Sequence, residues 1–105
     1  MISLYAMRRA NGDWFAFDDH GRLRVPIFRS RQDGMAARAR RWGLMLFKPV
    51  ALDERTLGDL AQSDGAAGAC FWLVDNPFTN LKWGRLIDQA HLASLVNEGA
   101  RHAQD

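Results

Sequence analysis

The chain has 105 residues, of which 48% are hydrophobic and 25% charged, proportions that are ordinary for one globular domain and argue against a disordered chain. The net charge of +2 is uneven: residues 1–50 carry ten basic and four acidic side chains, and residues 51–105 carry four basic and eight acidic ones. Such asymmetry indicates either an anionic partner or two halves that attract each other. The single cysteine excludes an internal disulfide.

Two features bear on where the chain resides. The N-terminus lacks the basic segment followed by an apolar segment that marks a secretory signal. The longest apolar run, 69–74, is far shorter than the about 20 residues of a membrane-spanning helix. We therefore expect a cytoplasmic protein that does not act at a membrane.

The first thirty residues predict three short antiparallel strands in a meander. Residues 2–7 alternate loosely, and an Asn-Gly pair, a strong turn signal, follows them. In 14–28, WFAFDDHGRLRVPIF, the apolar alternation on both sides of a turn predicts a hairpin with one buried face. Gly21 can take positive φ in that turn. Pro26 cannot donate to a ladder, so its strand is expected to lie at an edge there or to end.

A helix is predicted to begin after Ser30. Ser30 and the acidic Asp33 three residues later form a weakened capping box. Gly43 suits the position that follows a helix C-terminus. The predicted buried face is an apolar stripe at helical spacing: Met35, Ala39 and Trp42.

The middle of the chain predicts a strand, a helix and a second strand. Residues 44–50 predict a buried strand that ends at Pro49, and Asp53 is placed to cap the helix that follows. Residues 69–74 are apolar on both faces, which is typical of a central strand.

The last segment predicts a strand and a helix. Residues 81–87 predict the strand, with Gly84 as a bulge. Asp88 is the expected N-cap of the helix, and Gly99 is its expected end. Residues 101–105 are expected to form a disordered tail.

These elements predict the order β-β-β-α-β-α-β-β-α in a single domain over residues 1–100. The fold class is α+β, with a mostly antiparallel or mixed sheet of about five to six strands and three helices that cover one face.

The order of these motifs resembles a known family. The run WFAFDDHGRLRVPIFRS, the helix that ends in Arg-Trp-Gly and the following LMLFKPVALD are similar to the N-terminal domain of enhanced-serine-sensitivity (SseB-type) proteins, a group of small uncharacterised bacterial domains. The resemblance covers about residues 4–95. It implies a small α+β fold in the bacterial cytoplasm, with no known catalytic residues.

Arginines supply the first candidate site. Helix N-termini favour anions through their free N–H groups and dipole, and further cations lie near the end of the same helix. The candidate anion-binding residues are Arg29, Ser30, Arg31, Arg38, Arg40 and Arg41. A wider basic face would also include Arg8, Arg9, Arg22 and Arg24. The alternative is that these arginines are solvated and paired with the acidic half, because no nucleic-acid-binding motif is present.

Tryptophans supply the second candidate. Trp42 and Trp72 lie in apolar patterns and are expected in the core. Trp83, which lies between a lysine and a glycine, is the candidate interface anchor, with core packing as its alternative.

Catalytic chemistry has little support in the sequence. Asp18, Asp19 and His20 could transfer protons or hold a cation weakly, but aspartate is also usual in turns. Cys70 is expected to be a small buried hydrophobic residue within a strand. Nucleophile elbows, phosphate-binding glycine loops and zinc patterns are absent from the sequence.

The leading hypothesis is therefore a small protein-interaction or regulatory domain that is not an enzyme and needs no cofactor. It would act through an apolar patch near Trp83 or through an exposed sheet edge, on another protein or on a second copy of itself. The alternative is binding of an anionic ligand or nucleic acid through the arginine-rich face.

Overall fold

The computed structural model describes residues 3–62, 70–74 and 84–104. The elements in chain order are β1 (Tyr5–Arg9), β2 (Phe17–Asp19), β3 (Arg22–Ile27), α1 (Arg31–Arg40), a 3-10 turn (Trp42–Leu44), β4 (Phe47–Ala51), α2 (Glu54–Gln62), β5 (Cys70–Val74), β6 (Gly84–Ile87) and α3 (Gln89–Gln104). The predicted α+β class and the predicted order of elements are confirmed. Residues 81–83 of the predicted last strand lie outside the described residues.

The strands form two sheets rather than an opening meander. One sheet has the order β2-β3-β5-β6, in which β3 and β5 are parallel and the other pairs antiparallel. The other pairs β1 with β4 in antiparallel fashion. The predicted three-stranded meander was wrong, because β1 takes its ladder partner from beyond α1, and local turn signals carry no information about such distant pairing. Isolated bridges from Tyr5 to Phe28 and from Arg8 to Trp14 connect β1 to the hairpin region.

The hairpin between β2 and β3 forms as predicted. His20 and Gly21 both have positive φ, 53° and 86°, as a type I′ turn requires. The Gly21 N–H donates to Asp18 Oδ1 at 2.8 Å, so the aspartate serves the turn. Pairing of β2 with β3 ends at Arg24, and Pro26 lies beyond it, where its missing N–H removes no hydrogen bond to β2.

The central position predicted for the 69–74 strand is confirmed, since β5 lies between β3 and β6. Gly84 opens β6 in regular register opposite Val74, not as a bulge. A Cβ at this position would collide with the Leu73 carbonyl oxygen, so the close approach of the two backbones, rather than an irregularity of the strand, explains the glycine.

Helices cover both faces of the β-structure. Ala6 and Met7 are neighbours in β1, so they point to opposite faces. Ala6 belongs to the main core cluster, which includes Leu60 of α2 and Leu92 of α3, whereas Met7 belongs to a second cluster with Ala37 of α1. The prediction that all three helices cover one face was wrong, because both faces of β1 are apolar and each requires cover.

Helix α1 begins as predicted and ends sooner. Ser30 is the N-cap, and its Oγ accepts a hydrogen bond from the Asp33 N–H at 3.0 Å. The helix stops at Arg40, and Arg41 is extended with φ −124°. Gly43 therefore lies inside the 3-10 turn and does not occupy the predicted position after the helix, because the helix already ends at Arg40 and the extended Arg41 separates the two.

The buried face of α1 differs from the predicted apolar stripe. Gly34 and Ala37 are its buried residues. Small side chains face inward because the helix lies close to β4: a Cβ added to Gly34 would come within 3.0 Å of Pro49 Cβ. The residues of the predicted stripe are exposed: Met35, Ala39 and Trp42. That prediction was wrong, because periodicity identifies an apolar face without showing whether anything covers it.

Strand β4 starts later than predicted and continues through its proline. It runs from Phe47 to Ala51, and Pro49 pairs with Met7 within the ladder. Residues 44–46, predicted as the beginning of this strand, instead belong to the turn that follows α1.

Helices α2 and α3 have the predicted N-caps. Asp53 Oδ1 accepts from the Thr56 N–H at 2.8 Å, and Thr56 Oγ1 accepts from the Asp53 N–H at 2.7 Å, which is a reciprocal capping box. Asp88 Oδ1 accepts from the His91 N–H at 2.7 Å. Both aspartates thus fix the point at which their helix begins.

Helix α3 continues to Gln104 rather than ending at Gly99. Residues 101–104, for which the sequence predicted a disordered tail, are helical. A glycine inside a helix costs only about 1 kcal/mol relative to alanine, and the alanines, arginine and glutamine that follow Gly99 favour helix.

Candidate functional site

Four of the six large apolar side chains that are exposed among the described residues lie between the middle of α1 and the start of β4. Trp42 is 90% exposed, Leu46 70%, Met45 54% and Met35 38%. With Ala39, which is also exposed, these residues are called the Trp42 surface below. Isolated exposed apolar residues are normal in proteins, but four large ones within twelve consecutive residues form a patch that requires an explanation.

The 3-10 turn explains why these side chains point outward. Leu44 is fully buried in the second core cluster and anchors the turn. Because a 3-10 helix has three residues per turn, a turn that buries Leu44 leaves Trp42 exposed. The Leu44 N–H donates to the Arg41 carbonyl at 3.0 Å, and the Met45 N–H donates to the Trp42 carbonyl at 3.2 Å. Trp42 is thus displayed on a hydrogen-bonded turn.

A cavity of about 260 Å³ lies within the Trp42 surface. Its lining residues are Met35, Arg38, Ala39 and Met45. Three of the four are apolar, and the cavity is smaller than the about 300–1,000 Å³ of typical small-molecule sites. Its size and lining suit one or two apolar side chains better than a cofactor.

Arg38 links the two chain segments that line the cavity. Its Nε and Nη2 donate to the Met45 carbonyl oxygen at 3.2 and 2.9 Å. Hydrogen bonds from a charged guanidinium are stronger than neutral ones, and its planar fork fixes direction as well as distance. The two bonds tie the chain after the 3-10 turn back to α1, which keeps Met45 beside the helix, where it lines the cavity together with Met35.

The surroundings of the Trp42 surface are basic. Acidic residues are absent from the sequence between Asp33 and Asp53, an interval with the cations Arg38, Arg40, Arg41 and Lys48. The guanidinium of Arg9 lies over the Phe47 ring, 5.6 Å from its centroid, next to Leu46 along the chain. Clustered charge of one sign creates a local potential that attracts the opposite sign.

The six predicted anion-binding residues do not meet in one place. Three stand at the start of α1 and three at its end, and ten helical residues at 1.5 Å each separate the two groups by about 15 Å. Arg31 and Arg38 lie three to four residues from Met35, so they share its face, whereas Arg40 lies about half a turn away.

The start of α1 is a poor anion site on its own. Ser30 Oγ already accepts the Asp33 N–H. The carboxylate of Asp33 also sits in the first turn of the helix, where it supplies the negative charge that the dipole favours. An external anion would have to compete with both.

Two arginines of the wider predicted basic face pack against tryptophans instead. Arg8 lies 4.5 Å from the centroid of the Trp14 ring, and its Nε donates to the Gly12 carbonyl at 2.9 Å. Its Nη1 is 3.7 Å from Asp59 Oδ2, so it joins the basic half of the chain to the acidic half. Arg24 lies 4.6 Å from the Trp72 ring centroid. These arginines stabilise the fold and are not part of one continuous basic face.

The tryptophans divide between core and surface. Trp14 is 9% exposed in the main cluster, and Trp72 is partly buried against the second. The expectation that Trp42 lies in the core was wrong, because Leu44 takes the inward position of that turn. The usable sequence signal was that Trp42 directly follows Arg40 and Arg41, because arginines are rarely buried and keep the adjoining chain near the surface. Trp83, the predicted interface residue, lies outside the described residues.

The remaining candidates are Asp18, Asp19 and His20 in the hairpin turn, and Cys70. Within residues 3–62, 70–74 and 84–104, no three His, Cys, Asp or Glu residues are grouped so that they could hold a metal ion. Cys70 is the first residue of β5, in the strand that the sequence predicted for it.

Neither of two sequence comparisons identifies a relative. No protein-family model matches the sequence, and the search of curated proteins finds no significant match. The resemblance to enhanced-serine-sensitivity proteins therefore stays a prediction. Among the helices described, none combines the length and the apolar character that crossing a membrane would require.

Proposed function

We propose that this chain is a small, non-enzymatic protein-interaction domain whose docking site is the Trp42 surface. The observation that carries the proposal is the 90% exposure of Trp42 on a hydrogen-bonded turn, beside exposed Met45 and Leu46. Tryptophan and methionine are enriched in the cores of interfaces, and tryptophan dominates their hot spots. Because Trp42 is almost unburied within its own fold, a binding partner would be what buries it.

The size of the surface supports a reversible complex. Fully burying an exposed large apolar side chain contributes about 1.5–3 kcal/mol. The Trp42 surface offers Trp42 and Leu46, which are mostly exposed, and Met35 and Met45, which are partly buried already and contribute less. Association costs on the order of 4–15 kcal/mol in lost freedom. The apolar contacts alone are therefore close to balance, and the affinity also depends on the charges around the surface.

Trp83, which the sequence predicts as the interface anchor, is a second contact in this proposal. It precedes β6, an edge strand of the four-stranded sheet in which Leu86 is 56% exposed. A cytoplasmic setting in a bacterium, and membership of the enhanced-serine-sensitivity group, are part of the same proposal and rest on the resemblance alone.

Single-stranded nucleic acid is the second candidate ligand. An exposed tryptophan near arginines is the combination on which unpaired bases stack, and Trp42 directly follows Arg40 and Arg41. The neighbours of Trp42 favour a protein, however. Met45 and Leu46 are exposed and aliphatic, so they offer apolar area without a flat ring for a base.

Site-specific photo-crosslinking tests the proposed docking site. A photoreactive amino acid is placed at Leu46, in the Trp42 surface, and separately at Leu23, which is 42% exposed in β3. In lysate of the source cells, we expect discrete protein adducts from position 46 and not from position 23. The additional substitution Trp42→Ala should abolish the adducts. Equal labelling from both positions, or labelling unaffected by Trp42→Ala, would contradict the proposal.

A further inference from the structure

Resting on the proposed function, we infer that the partner presents an acidic segment with a bulky apolar side chain that enters the cavity between Met35 and Met45. Its carboxylates would face Arg31 and Arg38, on the same face of α1. The inference goes beyond docking as such, because it names the chemistry that this surface recognises.

The charge around the cavity carries the first step. The interval between Asp33 and Asp53 contains four cations and no carboxylate, so the chain itself does not neutralise this stretch from within. Arg38 stands in the cavity wall. A partner segment with several carboxylates would gain from this potential on approach, and a basic segment would be repelled.

The donors of Arg38 support a direct contact. A guanidinium has five N–H donors in a planar fork. Nε and Nη2 contact the Met45 carbonyl, and among the described residues Nη1 is the nitrogen without such a contact. A carboxylate at Nη1 would therefore bind without displacing the bonds that shape the cavity.

The cavity itself carries the apolar half of the inference. Its volume of about 260 Å³ and its largely apolar lining by Met35, Ala39 and Met45 provide a recess for a branched or aromatic side chain. Methionine side chains are unbranched and adapt to the shape that enters. The cavity thus selects size and polarity more than one particular side chain.

The same charges argue against a second copy of this chain as the occupant. In a two-fold dimer the same patch meets itself. Such a dimer through the Trp42 surface would bring the Arg38 side chains of both copies to one interface, and like charges facing each other cost several kcal/mol. An acidic partner removes that cost.

A peptide selection on the full chain tests the inference. A random peptide library is selected on immobilised wild-type protein, and the enriched peptides are then measured by fluorescence polarisation. We expect an excess of Asp and Glu over Lys and Arg, with at least one Leu, Ile, Phe or Trp. Trp42→Ala should abolish binding, and Arg31→Glu should weaken it about tenfold.

Arg55→Glu is the matched control for Arg31→Glu. Arg55 is exposed in the first turn of α2 and is not part of the Trp42 surface or the cavity lining, so its reversal should leave peptide affinity unchanged. Both substitutions put a carboxylate into the first turn of a helix, where the dipole tolerates it. A difference between them therefore reports the partner's charge and not the stability of the fold.

The remaining outcomes separate the inference from the proposed function. Enriched peptides that depend on Trp42 but show no acidic excess would overturn the inference and leave the docking site standing. Binders insensitive to Trp42→Ala, or no binders at all, would overturn the inference, and photo-crosslinking at position 46 then decides the docking site. If oligothymidylate bound more tightly than the peptides and its binding depended on Trp42, the Trp42 surface would be a nucleic-acid site instead. If the molecular mass in solution rose with protein concentration and Trp42→Ala abolished the rise, the Trp42 surface would be a self-association site.

Discussion

Gly21 has φ +86° in the hairpin turn, and a Cβ built on it would meet no atom within 4 Å. The cost of a side chain there comes from backbone conformation alone, since the space is open. We expect Gly21→Ala to lower the free energy of unfolding by about 1–2 kcal/mol, measured by urea denaturation.

Gly58 provides the opposite case with the same substitution. It lies inside α2 without positive φ, and a Cβ there would also meet no atom within 4 Å. We expect Gly58→Ala to raise the free energy of unfolding by about 0.5–1 kcal/mol, because alanine loses less backbone freedom in a helix. If both substitutions changed the free energy of unfolding in the same direction, the positive φ of Gly21 would be contradicted.

Asp53 gives the stability of the fold a dependence on acid. The backbone N–H of Thr56 donates to its carboxylate and is the main reason that the pKa of Asp53 lies below its ordinary value, although slight burial acts the other way. A lowered folded-state pKa means stability that is complete above the ordinary pKa of about 4 and is lost as the pH falls through the folded value.

Replacing Asp53 by asparagine should remove this dependence. Asparagine caps helices about as well as aspartate, so Asp53→Asn should differ little from wild type at pH 7. In urea unfolding between pH 7 and pH 3, the wild type should lose more stability than the variant. If the free energy of unfolding fell equally in the two proteins as the pH was lowered, the charge of Asp53 would contribute nothing to stability.

At the scale of elements, the starts of the helices were predictable and the environment of their faces was not. Ser30, Asp53 and Asp88 are each the N-cap that the sequence indicated, because capping depends on residues within one turn. The inward face of α1 depends on how close the neighbouring strand lies. Gly34 faces β4 because little else fits there, and that distance is not encoded locally.

The close packing of α1 leads to a prediction for Gly34. A Cβ there would be 3.0 Å from Pro49 Cβ and 3.3 Å from Met7 Sδ. Gly34→Val should therefore lower the free energy of unfolding by about 1–3 kcal/mol through overpacking. The control Ala39→Val adds the same branched side chain to the exposed face of the helix and should cost no more than about 0.7 kcal/mol of helix propensity.

Similar losses in the Gly34 and Ala39 variants would contradict the close contact between α1 and β4. The measurement also bears on the candidate site, because α1 carries Met35 and Arg38 to the cavity. If α1 were displaced, the cavity would lose one wall, so Gly34→Val should also weaken any ligand that binds there.

At the scale of the whole molecule, the class and the element order could be predicted, but the pairing of strands could not. The parallel pair β3-β5 and the antiparallel pair β1-β4 each join segments separated by about forty residues. Alternation of apolar and polar residues indicates a strand, and a turn signal indicates a hairpin, but neither pattern identifies which distant strand pairs with it. The site was missed for the same reason, since the exposure of Trp42 follows from which residues fill the core between α1 and the sheets.

The division of tryptophans between core and surface gives the last prediction. Trp14→Ala removes a large side chain from the main cluster and should lower the free energy of unfolding by about 3–5 kcal/mol. Trp42→Ala removes one that is 90% exposed and should change it by no more than about 0.5 kcal/mol. A comparable loss in both variants would place Trp42 in the core in solution, and a residue already buried by its own fold could not be the centre of a docking site.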